Sequence, residues 1–106
     1  MAFDGEFDQT NRWVILAELI PWEQFEERYV FRFASSRFGR IAKPVRMALG
    51  ALIIQERLGF FDEELVEQIK ENPYLQYFIG LPTFQKIASF DPLLMVHFRK
   101  RFNAIE

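Results

Sequence analysis

Val45-Arg-Met-Ala-Leu-Gly-Ala-Leu-Ile-Ile54 is the stretch that decides the fold. It is apolar nearly all the way round a 3.6-residue turn, and a helix of that kind in a water-soluble chain is a central one, surrounded by others. Pro44 suits the first turn of this helix, and Gly59 terminates it. Gly50 stands in the middle, where a glycine costs roughly 1 kcal/mol against alanine. Its presence there predicts that a neighbouring segment comes close to the backbone.

Working outward, helical spacing recurs on both sides, and no stretch alternates long enough to suggest a sheet. On the N-terminal side, Thr10 or Asn11 offers the cap for a helix through Trp13–Ile20, which Pro21 ends. A second helix runs from Trp22 to about Ala34. Its Trp22, Phe25, Tyr29 and Phe33 share one face, and Glu23, Glu26 and Glu27 lie on the other. Residues 35–43 read as a basic loop.

On the C-terminal side, Asp62 is the expected N-cap of a fourth helix, with Glu63 and Glu64 in its first turn and Leu65, Val66 and Ile69 facing inward. Asn72-Pro73 breaks the chain and restarts it as a short helix closed by Gly80. After an irregular stretch, Asp91-Pro92 opens a last helix to about Asn103. The expectation is an all-α bundle of five to six helices, with a helix-turn-helix-like pair fitting within 62–102. Residues 1–9 and 104–106 read as tails and 10–103 as one domain.

Composition agrees. Half of the 106 residues are hydrophobic and 13 are Phe, enough to bury a core. With no cysteine, disulfides, thiolate metal sites and thiol nucleophiles are excluded. The start of the chain is acidic, unlike a signal peptide, and no apolar run approaches the roughly 20 residues of a membrane span. A cytoplasmic protein without a membrane partner is expected. The net charge of −2 hides a strong segregation. Arg28, Arg32, Arg37, Arg40, Lys43 and Arg46 succeed one another with no acid between, and His97-Phe-Arg-Lys-Arg101 forms a second basic cluster. The acids gather in 18–27 and 56–71. Charge separated in this way can steer a polyanion to one face.

Four stretches carry a resemblance: Arg12-Trp-Val-Ile-Leu-Ala-Glu-Leu-Ile-Pro-Trp22; Ala42-Lys-Pro-Val-Arg-Met-Ala-Leu-Gly-Ala-Leu-Ile-Ile-Gln-Glu56; Glu67-Gln-Ile-Lys-Glu-Asn-Pro-Tyr-Leu-Gln-Tyr-Phe-Ile-Gly80; and Phe90-Asp-Pro-Leu-Leu-Met-Val-His-Phe-Arg-Lys-Arg-Phe102. In this order, from about Asn11 to Phe102, the chain resembles the N-terminal domain of InsH-type bacterial insertion-sequence transposases. The resemblance implies a part in transposition and DNA recombination, through recognition of the element's terminal inverted repeats. It also implies a DDE-type catalytic domain downstream, whose Asp, Asp and Glu hold divalent metal. None of those positions falls within these 106 residues. The chain departs from the family's pattern at Phe61 and Leu93, where a small hydroxyl residue is usual.

The candidate DNA contacts are Arg37, Arg40, Lys43 and Arg46 in the first cluster and Arg99, Lys100 and Arg101 in the second, with double-stranded element ends as partner. Each has an ordinary counterpart: a solvated face for the first, and cations complementing a helix dipole for the second. His97 is the only histidine and has no Cys or second His to share a metal. Asp62, Glu63, Glu64 and Glu67 read as capping and solvation rather than acid–base chemistry. Tyr74, Tyr77 and Phe78 could stack on bases, but at helical spacing such aromatics are usually core. Neither a phosphate loop nor a nucleophile–base pair is present, so no catalysis, cofactor, metal or small-molecule substrate is expected of this chain. The alternative reading is a homodimerisation or interaction module without DNA affinity, or a remnant of a degenerate transposase.

Overall fold

Asn11 accepts a hydrogen bond from the Trp13 amide at 2.8 Å and starts the first helix, α1 (Arg12–Leu19). Thr10 bonds instead to the Asp8 carboxylate. The structure, a computed structural model, describes residues 7–33 and 45–103, without the side chains of 30–33, 101 and 103. The further helices are α2 (Trp22–Phe33), α3 (Val45–Leu58), α4 (Asp62–Glu71), α5 (Pro73–Phe78) and α6 (Leu94–Asn103). Among the described residues these are the only regular elements, so the chain is an all-α bundle.

The corner between α1 and α2 is held by Trp22, whose indole Nε1 donates to the Ala17 carbonyl at 2.9 Å across Pro21. α3 is the central helix its composition predicts. It packs against α2, α4 and α6, and buries Ala48, Ala51 and Ile54 completely. Gly50 is where α5 comes close. A Cβ placed there would lie 3.1 Å from Ile79 Cγ2 and 3.2 Å from Ile79 Cα. Gly59 comes directly after α3 with φ of 76°, a left-handed conformation that a side chain would strain.

The other helices turn short apolar stripes onto this core: Trp13 and Ala17 from α1, Leu65, Val66 and Ile69 from α4, Leu75 and Phe78 from α5, Met95 and Phe98 from α6. Burying one such large side chain stabilises the fold by about 1.5–3 kcal/mol. The Phe78 ring meets both Trp13 and Trp22 edge-on, at 5.2 and 5.3 Å. Phe7, expected in a tail, stacks on Tyr74 at 4.6 Å, and the Asp8 amide donates to the Tyr74 hydroxyl.

Two expectations differ from what is found. The N-cap of α4 is Phe61, whose side chain makes no capping bond, and Asp62 is the first helical residue. Its carboxylate is drawn to the Arg99 guanidinium of α6 instead. Nor does 62–102 contain the spacing of a helix-turn-helix, which joins its helices by about 3–4 residues. Asn72 alone separates α4 from α5, and residues 79–93 separate α5 from α6. α6 itself begins at Leu94, after a turn in which Asp91 Oδ1 accepts from the Leu93 amide.

Gln76 fastens that long connection and was not singled out by the sequence. It is fully buried. Its Nε2 donates to the carbonyls of Ile69, Lys70 and Gln85 at 3.1, 3.1 and 2.9 Å, and its Oε1 accepts from the Gln85 amide at 2.7 Å. Two protons serve three oxygens, so one bond is shared. A glutamine in a run of aromatics is the residue type that can satisfy both donors and acceptors when buried.

Candidate nucleic-acid interface

α6 forms because Met95, Phe98 and Phe102 recur at three and four residues, giving a narrow apolar stripe that docks on α3 and α2. The remaining positions carry His97, Arg99, Lys100 and Arg101. On the α2 side, Phe25 stacks over Tyr29 at 6.2 Å, and Tyr29 meets Phe102 edge-on at 4.8 Å. Arg28 precedes Tyr29, and Lys100 and Arg101 precede Phe102. The ring contact therefore brings the start of the first basic run beside the second. Arg28 is exposed, its guanidinium 5.8 Å from the Tyr29 ring, and Lys100 is exposed as well.

Arg37, Arg40 and Lys43 lie outside the described residues, as does the side chain of Arg101. Arg46 is turned into the fold. Its Nε donates to the Phe78 carbonyl at 3.1 Å and its Nη2 to the Tyr77 carbonyl at 3.0 Å. The guanidinium lies 4.7 Å over the Trp22 ring. It thus adds donors to the carbonyls that end α5, as a C-terminal cation does. Burial lowers its pKa from the ordinary arginine value, opposed by charge interactions with Tyr77 and Glu26.

Arg99 is also partnered. Its Nη1 and Nη2 grip Asp62 Oδ1 and Oδ2 at 2.9 and 3.0 Å, and Nη1 meets Gln55 Oε1 at 3.1 Å. Gln55 Nε2 in turn donates to Asp62 Oδ1 at 2.8 Å and to the Phe60 carbonyl at 3.1 Å. This two-pronged pair joins three helices: α3 through Gln55, α4 through Asp62, α6 through Arg99. The hydrogen bond from Arg99 holds the Asp62 pKa below the usual carboxylate value, and the same bond raises that of Arg99. A carboxylate and a guanidinium 37 positions apart leave no mark in a linear pattern.

A second surface feature lies along the first helix. Ile15, Leu16 and Leu19 of α1 and Leu58 of α3 line an open recess of about 360 Å³, bordered by Arg12 and Arg57. Leu19 is largely exposed there. Among the described residues no cluster of three His, Cys, Asp or Glu side chains could hold a metal ion, and no helix is long and apolar enough to cross a membrane.

The sequence matches, over residues 1–101, the family described as Transposase domain (DUF772). The chain belongs to this transposase-domain family. A similar protein in Rhizobium meliloti, described as uncharacterized protein ORF8 in the nfe locus, is 38% identical over 88 residues, 83% of this chain and 42% of that protein. The transposase domain therefore spans less than half of that relative's length. No solved structure matches it.

Proposed function

We propose that this transposase domain is the DNA-binding, non-catalytic N-terminal module of an InsH-type bacterial transposase, and that its partner is the duplex at the element's ends. The observation that carries the reading is the Tyr29–Phe102 contact, which sets the helix bearing Arg28, first of one basic run, against the helix bearing the other. With Arg46 turned into the fold and Arg99 held by Asp62, the phosphate contacts fall to Arg37, Arg40, Lys43, Lys100 and Arg101, with Arg28 beside them. Such contacts give affinity that falls with salt and position the protein without reading sequence.

The test is a salt titration of binding to duplex DNA, with helicity checked for each variant. Changing Lys100 and Arg101 to Gln should weaken binding about equally on all sequences and flatten the slope of log affinity against log salt by about two, at about 0.9 per lost contact. The set Arg37, Arg40 and Lys43 changed to Gln tests the other run separately. A folded wild type with no affinity even at low salt would sink the reading. With the metal-binding carboxylates of the resembled family placed downstream, the 106-residue chain should neither nick nor join DNA in magnesium or manganese. Metal-dependent nicking that persists through purification and is abolished by substitutions in this chain would overturn that part.

The recess on α1 favours a second reading, an interaction module that pairs with another copy or with the rest of a longer transposase. An exposed Leu19 beside Ile15 and Leu16 is the kind of apolar patch that a partner covers. Concentration-dependent sedimentation without DNA affinity, abolished by Leu19→Lys, would favour it over the first.

A further inference from the structure

We infer that the outer face of α6, together with the turn before it, is the base-reading surface, inserted in the major groove of duplex DNA. The inference rests on the DNA-binding reading and names the element and side chains that would give it sequence preference.

Placement comes first. Met95 and Phe98 are buried and Phe102 is half-buried, so one side of α6 is fixed on the core. Leu93, Val96, His97 and Lys100 recur at three, four and seven residues on the opposite side, and all four are exposed. Among the described helices, α6 alone carries cations and no acid. α2 and α4 present glutamates, and α1 and α3 each include one. Charge complementarity to a polyanion thus selects α6 from the bundle.

The second point is rigidity. Reading base edges needs side chains held on an element that does not rock. α6 is fixed along its length by the core stripe, and from the side by the paired grip of Arg99 on Asp62. Arg99 therefore acts as a positioning residue rather than as a contact.

Chemistry gives the third. A helix about 10–12 Å across fits the roughly 12 Å major groove. Leu93 and Val96 offer methyl groups, which match the C5-methyl of thymine, the one apolar group that groove displays. His97 can donate to or accept from a base edge, and Lys100 lies a turn further on, placed for a phosphate. Leu93 is 73% exposed, an arrangement that has no packing role.

The test uses the full 106-residue chain and a pool of duplexes with a randomised central stretch. The wild type should enrich a motif containing thymine. Replacing those thymines by deoxyuridine, which lacks only the methyl, should weaken wild-type binding several-fold and leave the Leu93→Ser/Val96→Ser variant unaffected. That variant and His97→Ala should lose preference for the motif over scrambled duplex by about fivefold or more, while affinity for scrambled duplex and the salt slope stay within error. Because all three positions are exposed, the variants should keep wild-type helicity and melting. Enrichment of the same motif at the same strength by both variants would overturn the inference, as would a wild type that binds duplex but enriches nothing. In both cases DNA binding itself would stand. Failure of the wild type to bind any duplex would instead remove the reading on which this one rests.

Discussion

Arg46 Nη2 donates to the Tyr77 carbonyl across 31 positions of sequence, and the same guanidinium lies over the Trp22 ring. One side chain thus ties the first turn of α3 to the end of α5 and the start of α2. Gly80 is part of the arrangement. Its φ is 93°, and a Cβ there would come within 2.9 Å of Arg46 Cδ, so the absence of a side chain lets the arginine stem pass.

Replacing Arg46 with Lys should destabilise the domain by about 2 kcal/mol, because an ammonium cannot bridge two carbonyls and stack at once. Urea denaturation monitored by circular dichroism measures it. The salt slope of DNA binding should not change in this variant, and a slope reduced by about one would make Arg46 a phosphate contact after all.

The Asp62–Arg99 pair makes stability depend on acid. The Asp62 pKa is depressed in the folded state, so its contribution is fully present above the unfolded value near 3.8 and is lost as pH falls through the lower folded value. Asp62→Asn should cost about 1 kcal/mol at pH 7, a modest amount because the pair is partly open to solvent. The gap between variant and wild type should narrow as the pH falls below 3.8, tracked as urea midpoints against pH.

Gln76→Leu should be more damaging than its size suggests. It keeps the volume but leaves the carbonyls of Lys70 and Gln85 and the Gln85 amide without this partner, while the Ile69 carbonyl keeps the Asn72 amide. Each unsatisfied buried group costs about 1–3 kcal/mol, so a total loss of about 3–5 kcal/mol is expected in a denaturant titration. A loss under about 1 kcal/mol would mean that water replaces the amide.

Ile54→Asp should abolish the cooperative melt, since it places an unpaired charge in a fully buried position of α3. Leu52→Asp and Ile53→Asp, on the half-buried positions just before it, should be milder. Equal effects at all three would show that α3 is covered on every side.

The fold was legible because apolar spacing is local. The apolar run at 47–54, the cap at Asn11 (one of the two residues the sequence offers), the break and restart at Asn72-Pro73 and the glycines at 50, 59 and 80 all appear where the sequence places them. The candidate interface was less so. Arg46 and Arg99 sit in basic runs, and a run does not reveal which of its members turns to a partner within the protein. What turns them is an acceptor far along the chain: the α5 carbonyls for Arg46, Asp62 for Arg99. Asp62 reads as a cap for the same reason, since its local context is that of a helix start while its partner is 37 residues away. Gln76 shows the same limit, for only the fold tells a buried glutamine from an exposed one.

Asn72 closes α4 through its amide, which donates to the Ile69 carbonyl, and opens α5 through its side chain, which accepts from the Tyr74 amide. A joint of one residue has no slack in length. Each residue added to a helix rotates the rest of the chain by about 100°. An insertion here would therefore swing Gln76 out of register with Gln85 and carry the Phe78 and Tyr77 carbonyls away from Arg46. Residues 86–88, exposed and outside any helix, carry no such coupling. Chain length in this protein can therefore change around 86–88 without moving the helices, and cannot change at 72, whatever the residue types on either side.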